Sequence, residues 1–233
     1  HLNAKYTRTL EGDHSLVAGV ETEGGHRSDQ AVTQQNGVLL PGTTDDDLGA
    51  RTYRAALYAQ DEWSLSPQWA AHAGLRWEEV LTEGQDQTLQ MHTNRSSVWT
   101  PLLHAVWKPE PKGPDQVRMS LTRSYRSPVL TDLLGRLNVS QAYPTSGGNT
   151  PTSPDRAGNP DLRPELATGL DVAWEHYLPD NGMLSVNLFH RRVHDLMRTV
   201  TALQTVPWSP MPRWVATPQN IGSATTQGVE DRK

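Results

Sequence analysis

The chain has no cysteine, a single phenylalanine and no run of 18 apolar residues in its 233 positions. The first absence removes disulfides and thiolate metal sites. The last removes a transmembrane helix, which needs about 20 mostly apolar residues. Positive charge is not in excess either: 21 Lys and Arg against 26 Asp and Glu leave −5. Such a balance gives no electrostatic footprint for nucleic acid. No P-loop, G-x-S-x-G or H-E-x-x-H occurs, so the reading is of a protein that is not an enzyme and carries no metal or cofactor. No methionine, charged leader or apolar leader segment stands at His1-Leu2-Asn3. A removed signal peptide or an internal piece of a longer chain is expected.

What is present is tryptophan at a telling interval. Trp69 and Trp77 are eight residues apart, as are Trp99 and Trp107. An even interval puts both rings of a pair on one face of a strand. Eight residues span roughly 26 Å, or about 20 Å of height at a tilt of ~40°. That height matches an apolar band flanked by aromatic girdles in a membrane barrel. A 35% hydrophobic share is compatible with such a wall, because its strands are wet on one side.

Long alternating segments carry the same message. Strands are read from His14 to about Arg27, Arg51 to Leu65, Gln68 to Leu81, Val98 to Lys108, Gln116 to Tyr125, Leu166 to Leu178 and Met183 to about Arg198. A last strand begins near Gln219. Short turns at Ser66-Pro67, Pro109 to Asp115 and Pro179 to Gly182 alternate with longer polar connections, among them Thr82 to Ser96, Arg126 to Glu165 and Thr199 to Pro218. Short periplasmic turns opposite long extracellular loops are the asymmetry of bacterial outer-membrane barrels. Trp63, Trp69, Trp107 and Tyr177 would form the periplasmic girdle, with Trp77 and Trp99 near the outer one. Pro101 is the discordant residue, since proline cannot donate to a ladder. It calls for a bulge, or for a strand that starts after it and leaves Trp99 in the loop. The rival is a soluble two-sheet protein, which would bury Leu170, Val172 and Trp174 against a second sheet; lipid would leave them facing outward.

Four stretches together resemble the barrel of TonB-dependent outer-membrane receptors. They are Tyr58-Ala59-Gln60-Asp61-Glu62-Trp63 with Gly74-Leu75-Arg76-Trp77; Ser124-Tyr125-Arg126-Ser127-Pro128; Gly158-Asn159-Pro160-Asp161-Leu162-Arg163-Pro164-Glu165; and Asn220-Ile221-Gly222-Ser223-Ala224 with Gly228-Val229-Glu230. The resemblance covers roughly residues 51 to 230. It implies an all-β, antiparallel transmembrane barrel of about 22 strands with a plugged lumen. Residues 1 to 233 would supply about eight long strands of it, as one incomplete barrel domain without the N-terminal plug or the last strands. An unclosed sheet leaves edges that hydrocarbon does not tolerate, hence the expectation of an incomplete piece.

The implied function is ligand-gated import across the bacterial outer membrane. The implied ligand is a ferric siderophore or similar small chelate, and the driving partner an energy-coupling protein of the TonB type acting through the plug. The intact protein is expected to be a monomer in outer-membrane lipid. Haem receptors of this family commonly carry a histidine between the two proline motifs, and residues 129 to 158 hold none. A passive porin or adhesin barrel remains the alternative within the membrane class. Candidate ligand residues are Arg126, Arg136, Trp208, Met211, Arg213 and Trp214, as rigid aromatics and arginines suited to a bulky anionic chelate. Tyr125, Pro128, Asn159, Pro160, Pro164 and Glu165 form the structural motif: prolines fix φ and restrict their predecessors, and Asn159 and Asp161 favour local side-chain bonds to the backbone. Asp45-Asp46-Asp47 lacks calcium-loop spacing. His190 and His194 share one strand face as wall or rim residues.

Overall fold

The computed structural model describes residues 1–30, 34–35, 38–39, 47–85, 90–135, 137–140 and 148–232. Asp45 and Asp46 lie outside them, as does Arg136. Among the described residues, fourteen strands and one short helix follow in order: β1 (Leu2–Leu10), β2 (His14–Gln30), β3 (Gln34–Gln35), β4 (Val38–Leu39), β5 (Asp47–Ser66), β6 (Trp69–Gln85), β7 (Met91–Trp107), β8 (Asp115–Arg126), α1 (Leu130–Leu133), β9 (Asp155–Arg156), β10 (Glu165–Tyr177), β11 (Met183–His194), β12 (Met197–Gln204), β13 (Arg213–Asn220) and β14 (Ser223–Arg232). Nine of them form one antiparallel sheet in the order β1-β2-β5-β6-β7-β8-β10-β11-β14. No described helix is long and apolar enough to cross a membrane.

The outer face of this sheet is apolar and uncovered. Leu57, Leu75, Trp99, Leu103, Leu121, Leu170, Trp174 and Leu188 are all exposed. Leu170 and Trp174 therefore point outward, and Val172, on the same side, is half-buried with no second sheet over it. The soluble rival fails on this point. Trp69 stacks on Trp107 at 6.0 Å and Trp77 approaches Trp99 at 6.5 Å. Each pair is in direct register across β6 and β7.

The apolar band runs obliquely to the hydrogen-bond rows. On β2, β5, β6 and β7 it reaches the row Val20, Leu57, Trp77, Trp99. Leu121 and Leu170 share a row with Leu103 and Ala73, four residues lower. The next row up on β8, β10, β11 and β14 is already polar: Arg123, Thr168, Arg192, Thr225. A strand tilt of ~40° and a spacing of ~4.8 Å lower a horizontal band by roughly one residue per strand. From β6 to β10 there are three steps, and the observed fall of four residues agrees.

Pro101 is accommodated by neither of the expected means. β7 runs through it in continuous register with β6, opposite Leu75, and Trp99 lies inside the strand. The β7–β8 ladder instead stops at Leu102 opposite Thr122. Above that point β8 stays paired with β10 up to Arg126. The missing donor thus coincides with the row at which the two strands part.

Two expected loops are largely strand. β6 continues to Gln85 and β7 begins at Met91, where a loop from Thr82 to Ser96 was expected. The segment from Thr199 to Pro218 contains most of β12 and β13, paired from Met197 with Asn220 to Gln204 with Arg213. This hairpin continues β11 and β14 past a kink. Asp195 (φ 54°) and Gly222 (φ 109°) take left-handed backbone there, and Leu196 and Ile221 keep the ladder connected through N–H bonds to Gly222 and Leu196 carbonyls. The last sheet strand accordingly starts at Ser223 rather than Gln219.

Candidate functional site

The connection between β8 and β10 folds over the inner side of the wall and is fixed by a small apolar centre. Leu133 of α1, Leu162 and Met197 pack together, with Leu134 against them. Two glycines let the backbones meet: a Cβ at Gly158 would lie 2.5 Å from Gly135 N and 2.8 Å from Leu133 O. Asn159 N–H donates to Asp132 O at 2.7 Å beside this crossing.

The proline motif is the joint between this loop, the wall and the β12–β13 hairpin. Asn159 Oδ1 accepts from Asp161 N at 3.0 Å, the local turn expected of an Asn before proline. Asn159 Nδ2 donates to Pro218 O at 3.0 Å. Asn94, on the inner side of β7 above the Pro101 parting, donates to Pro160 O at 2.7 Å and Leu162 O at 2.9 Å. Asn220 brackets Arg163: its Oδ1 accepts from Arg163 N, and its Nδ2 donates to the carbonyls of Arg163 and Asp195. Arg163 also pairs with Asp195 at 2.6 Å. Glu165 Oε1 accepts from Met197 N at 2.6 Å, and its carboxylate pairs with Arg126 at 2.8 Å.

A second joint sits farther out. Asp155 is fully buried and receives five donors. Oδ1 accepts from Ser140 N, Asn149 Nδ2 and the Arg213 terminal nitrogen at 2.8, 3.1 and 2.7 Å. Oδ2 accepts from Trp208 Nε1 and Arg213 Nε, both at 2.9 Å. Arg213 also donates to Ser140 O at 2.7 Å. Asn149 completes the joint by bonding both the N–H and the carbonyl of Trp214. The bidentate Arg213 bond overcomes the upward push of burial and, with Trp208 and Ser140, holds the Asp155 carboxyl at about 2. Arg213 is correspondingly raised by its carboxylate partner.

The candidate ligand residues therefore fall into different surroundings. Arg213 is buried and engaged with Asp155. Trp208 uses its indole N–H on the same carboxylate while the residue is 37% exposed. Met211 is open at the hairpin tip, and Trp214 is half-buried with its backbone in the joint. Arg126 lies near the mouth, exposed but paired with Glu165, at a distance in sequence from the hairpin tip. Tyr125, Pro128 and Leu130 share a cavity of about 510 Å³ with Arg54 and Glu78 of the inner wall.

The inner wall is ionic where the outer wall is greasy. Glu78, 1% exposed, accepts from Arg54 Nε at 2.6 Å and from Arg76 at 2.8 and 3.0 Å. Arg76 also bonds Glu21 at 2.7 Å. Sequence reading did not single out this cluster, nor Asn94, Asn149, Asp155 or Asn220. Its one signal was the polar side of the alternation in Arg76 and Glu78. Among the described residues no group of three or more His, Asp or Glu is placed to hold a metal ion.

An outward apolar band, a charged interior and loops folded back over one rim define a membrane barrel wall. A family profile described as "TonB dependent receptor-like, beta-barrel" matches residues 2–230. The chain belongs to the TonB-dependent receptor family, as part of its β-barrel. It is a protein of the bacterial outer membrane. The iron-regulated outer membrane virulence proteins of two Vibrio cholerae O1 strains are each 25% identical over 226 residues. The alignment covers 94% of this receptor chain but 29% of each relative. Among solved structures, a mutant of the ferric enterobactin receptor PfeA of Pseudomonas aeruginosa superposes with a TM-score of 0.72 at 17% identity, covering 98% of this chain and 32% of that one. A double mutant of the hemophore receptor HasR of Serratia marcescens, in complex with its hemophore HasA and heme, gives 0.65 at 16% identity, with 98% and 38% covered. These likenesses confirm the partial barrel fold.

Proposed function

We propose that this chain forms part of the wall and outer mouth of an active outer-membrane importer of iron chelates, of the ferric siderophore kind. The observation that carries the reading is the pair of joints at Asn159–Glu165 and at Asp155. They tie the loop between β8 and β10 to the β12–β13 hairpin and to β7. A receptor gains affinity from loops ordered before the ligand arrives, and membership of the TonB-dependent receptor family argues against a passive pore. The iron-regulated Vibrio relatives and the ferric enterobactin receptor PfeA support iron as the cargo element. The lack of histidine from 129 to 158 favours siderophore over haem.

In this reading Trp208, Met211 and Trp214 meet the chelate at the hairpin tip and Arg126 and Arg136 meet its negative charge. Arg213 holds the hairpin in place. A plug domain inside the lumen, pulled from the periplasm by a TonB-type protein, opens the path, and the ligand undergoes no covalent change. The test is equilibrium binding by the intact protein in detergent, with ferric siderophores, haem, cobalamin and free metal ions as titrants. Binding of ferric siderophores at micromolar concentration or below is expected. Binding of haem or cobalamin alone, or of no titrant, overturns the reading.

A further inference from the structure

The cations of β8 and β11 divide by face. Those on the inner side meet acids: Arg118 pairs with Glu175 at 3.0 Å, Arg126 with Glu165 at 2.8 Å and Arg191 with Asp171 at 3.7 Å. Arg123 and Arg192 alternate onto the outer side. Neither has a carboxylate within ion-pair distance among the described residues. Arg123 Nε is buried and donates to no described acceptor. Its terminal nitrogens are not buried and have no described partner, so they are the donors open to an acceptor outside the chain.

Their position identifies that acceptor. Arg123 and Arg192 flank Thr168 of β10 in a single row, and Thr225 of β14 extends it. Two strand spacings put their Cα atoms ~10 Å apart. Directly below lies the row of Leu121 and Leu170, the upper limit of the apolar band on this flank. His190 and His194 lie two residues either side of Arg192 on the same face, with His190 Nδ1 held by Gln227 at 3.1 Å. On the opposite flank the outward Arg95 is already neutralised by Glu79 at 2.8 Å. Arg51, outward on β5, also lacks a described carboxylate partner, but it stands alone in its row; Arg123 and Arg192 are two such cations in one row, at the height where hydrocarbon gives way to head groups.

We propose that Arg123 and Arg192 form a binding site for the phosphate of a phosphorylated outer-leaflet lipid, whose acyl chains lie along Leu121, Leu170 and Leu188. Guanidinium matches phosphate oxygens bidentately, and the two threonine hydroxyls supply further donors. The apolar rows below are what separates a lipid from a free anion as the occupant. The site is on the outer surface and takes no part in the proposed uptake path, so it stands or falls independently of the cargo.

The test is native mass spectrometry of the intact protein in detergent doped with equal amounts of phosphatidic acid and phosphatidylcholine. Two cationic contacts correspond to a preference of roughly thirtyfold for phosphatidic acid. The double variant Arg123→Gln/Arg192→Gln is expected to lose that preference. The Lys/Lys double variant is expected to keep part of it, and Arg95→Gln to keep all of it. Inorganic phosphate at millimolar concentration is expected to leave the lipid in place. Equal retention of both lipids by the wild-type protein overturns the proposal, as does an undiminished preference in the Gln variant. Full displacement by inorganic phosphate also overturns it, by reducing the site to one for a free anion. Should the Gln pair prevent folding, the wild-type comparison together with the Lys pair decides.

Discussion

Asp155 joins four residues of the mouth, Ser140, Asn149, Trp208 and Arg213, through one carboxylate. Its carboxylate has no exposure and five donors, and the Arg213 it holds is itself buried. Removing one charge of such a pair leaves the other desolvated and uncompensated, which costs about 3–5 kcal/mol. Asp155→Asn should therefore free the β12–β13 hairpin, seen as cleavage between Gln204 and Arg213 by a protease that leaves the wild-type loop intact. Acid should do the same reversibly. The folded carboxyl titrates at about 2 against an ordinary value of 3.8. A depressed folded value means that the stabilisation is complete above the unfolded pKa and is lost as pH falls. About 2 kcal/mol disappears between roughly pH 4 and pH 2. Trp208 fluorescence, taken as the difference between wild type and Trp208→Phe, should report this transition, and Asp155→Asn should abolish it. Gly158 offers a steric counterpart. Alanine there would press on Gly135 N and Leu133 O, with an overpacking cost of about 1–3 kcal/mol. Amide exchange at Asn159, bonded to Asp132 O, should accelerate while exchange in β5 and β6 stays unchanged.

At the scale of strands, Pro101 makes the sharpest prediction. The ladder toward β8 is already open at its row, so Pro101→Ala has little to restore and should change stability by less than about 1 kcal/mol. Ala105, paired to Ala71 on one side and Met119 on the other, has no such freedom. Ala105→Pro should cost about 3 kcal/mol or more. Urea unfolding of the intact protein in vesicles distinguishes the two. The contrast also shows which parts of the fold could be read from residue order. Within the apolar band, hydrocarbon on one side and a polar interior on the other enforce a period of two, and the wall strands from Leu16 to Val229 were visible for that reason. Above the band both faces are wet. Strand ends such as Thr82 to Gln85 and Met91 to Ser96 then alternate polar with polar and look like loop, and the prolines between Pro207 and Pro218 give the β12–β13 hairpin the same look although Met197, Val215 and Ala216 are buried in it. The corner from Asn159 to Glu165 was legible because prolines and an Asx turn act locally. Its partners Asn94 and Asn220 sit 66 and 57 residues away in the bonds they make, where no spacing rule reaches. Composition announced that the hairpin carries Trp208, Arg213 and Trp214, but not that Arg213 turns inward to a carboxylate.

For the whole molecule, the oblique course of the apolar band means that residues sharing one hydrogen-bond row sit at different depths. Leu75 faces Pro101 across β6 and β7. Counting on from Leu102 opposite Thr122, that row passes to Arg123 and Thr168 on β8 and β10. A flat, untilted sheet would place Leu75 and Thr168 at equal height. A tilt of ~40° places Leu75 well inside the hydrocarbon and Thr168 at its upper boundary, three strand steps away. Arginine on a lipid-facing wall costs about 2–4 kcal/mol at the midplane and about 0–1 near the interface. Leu75→Arg should accordingly destabilise the intact protein in vesicles by several times as much as Thr168→Arg, as read from the denaturant midpoint. Equal penalties would mean that the band follows the rows. The strands would then stand upright, and the Trp69–Trp77 and Trp99–Trp107 intervals would span roughly 26 Å of height instead of about 20 Å. The same geometry sets where lipid head groups meet the wall, so the outcome also fixes whether Arg123 and Arg192 stand at the membrane boundary or below it.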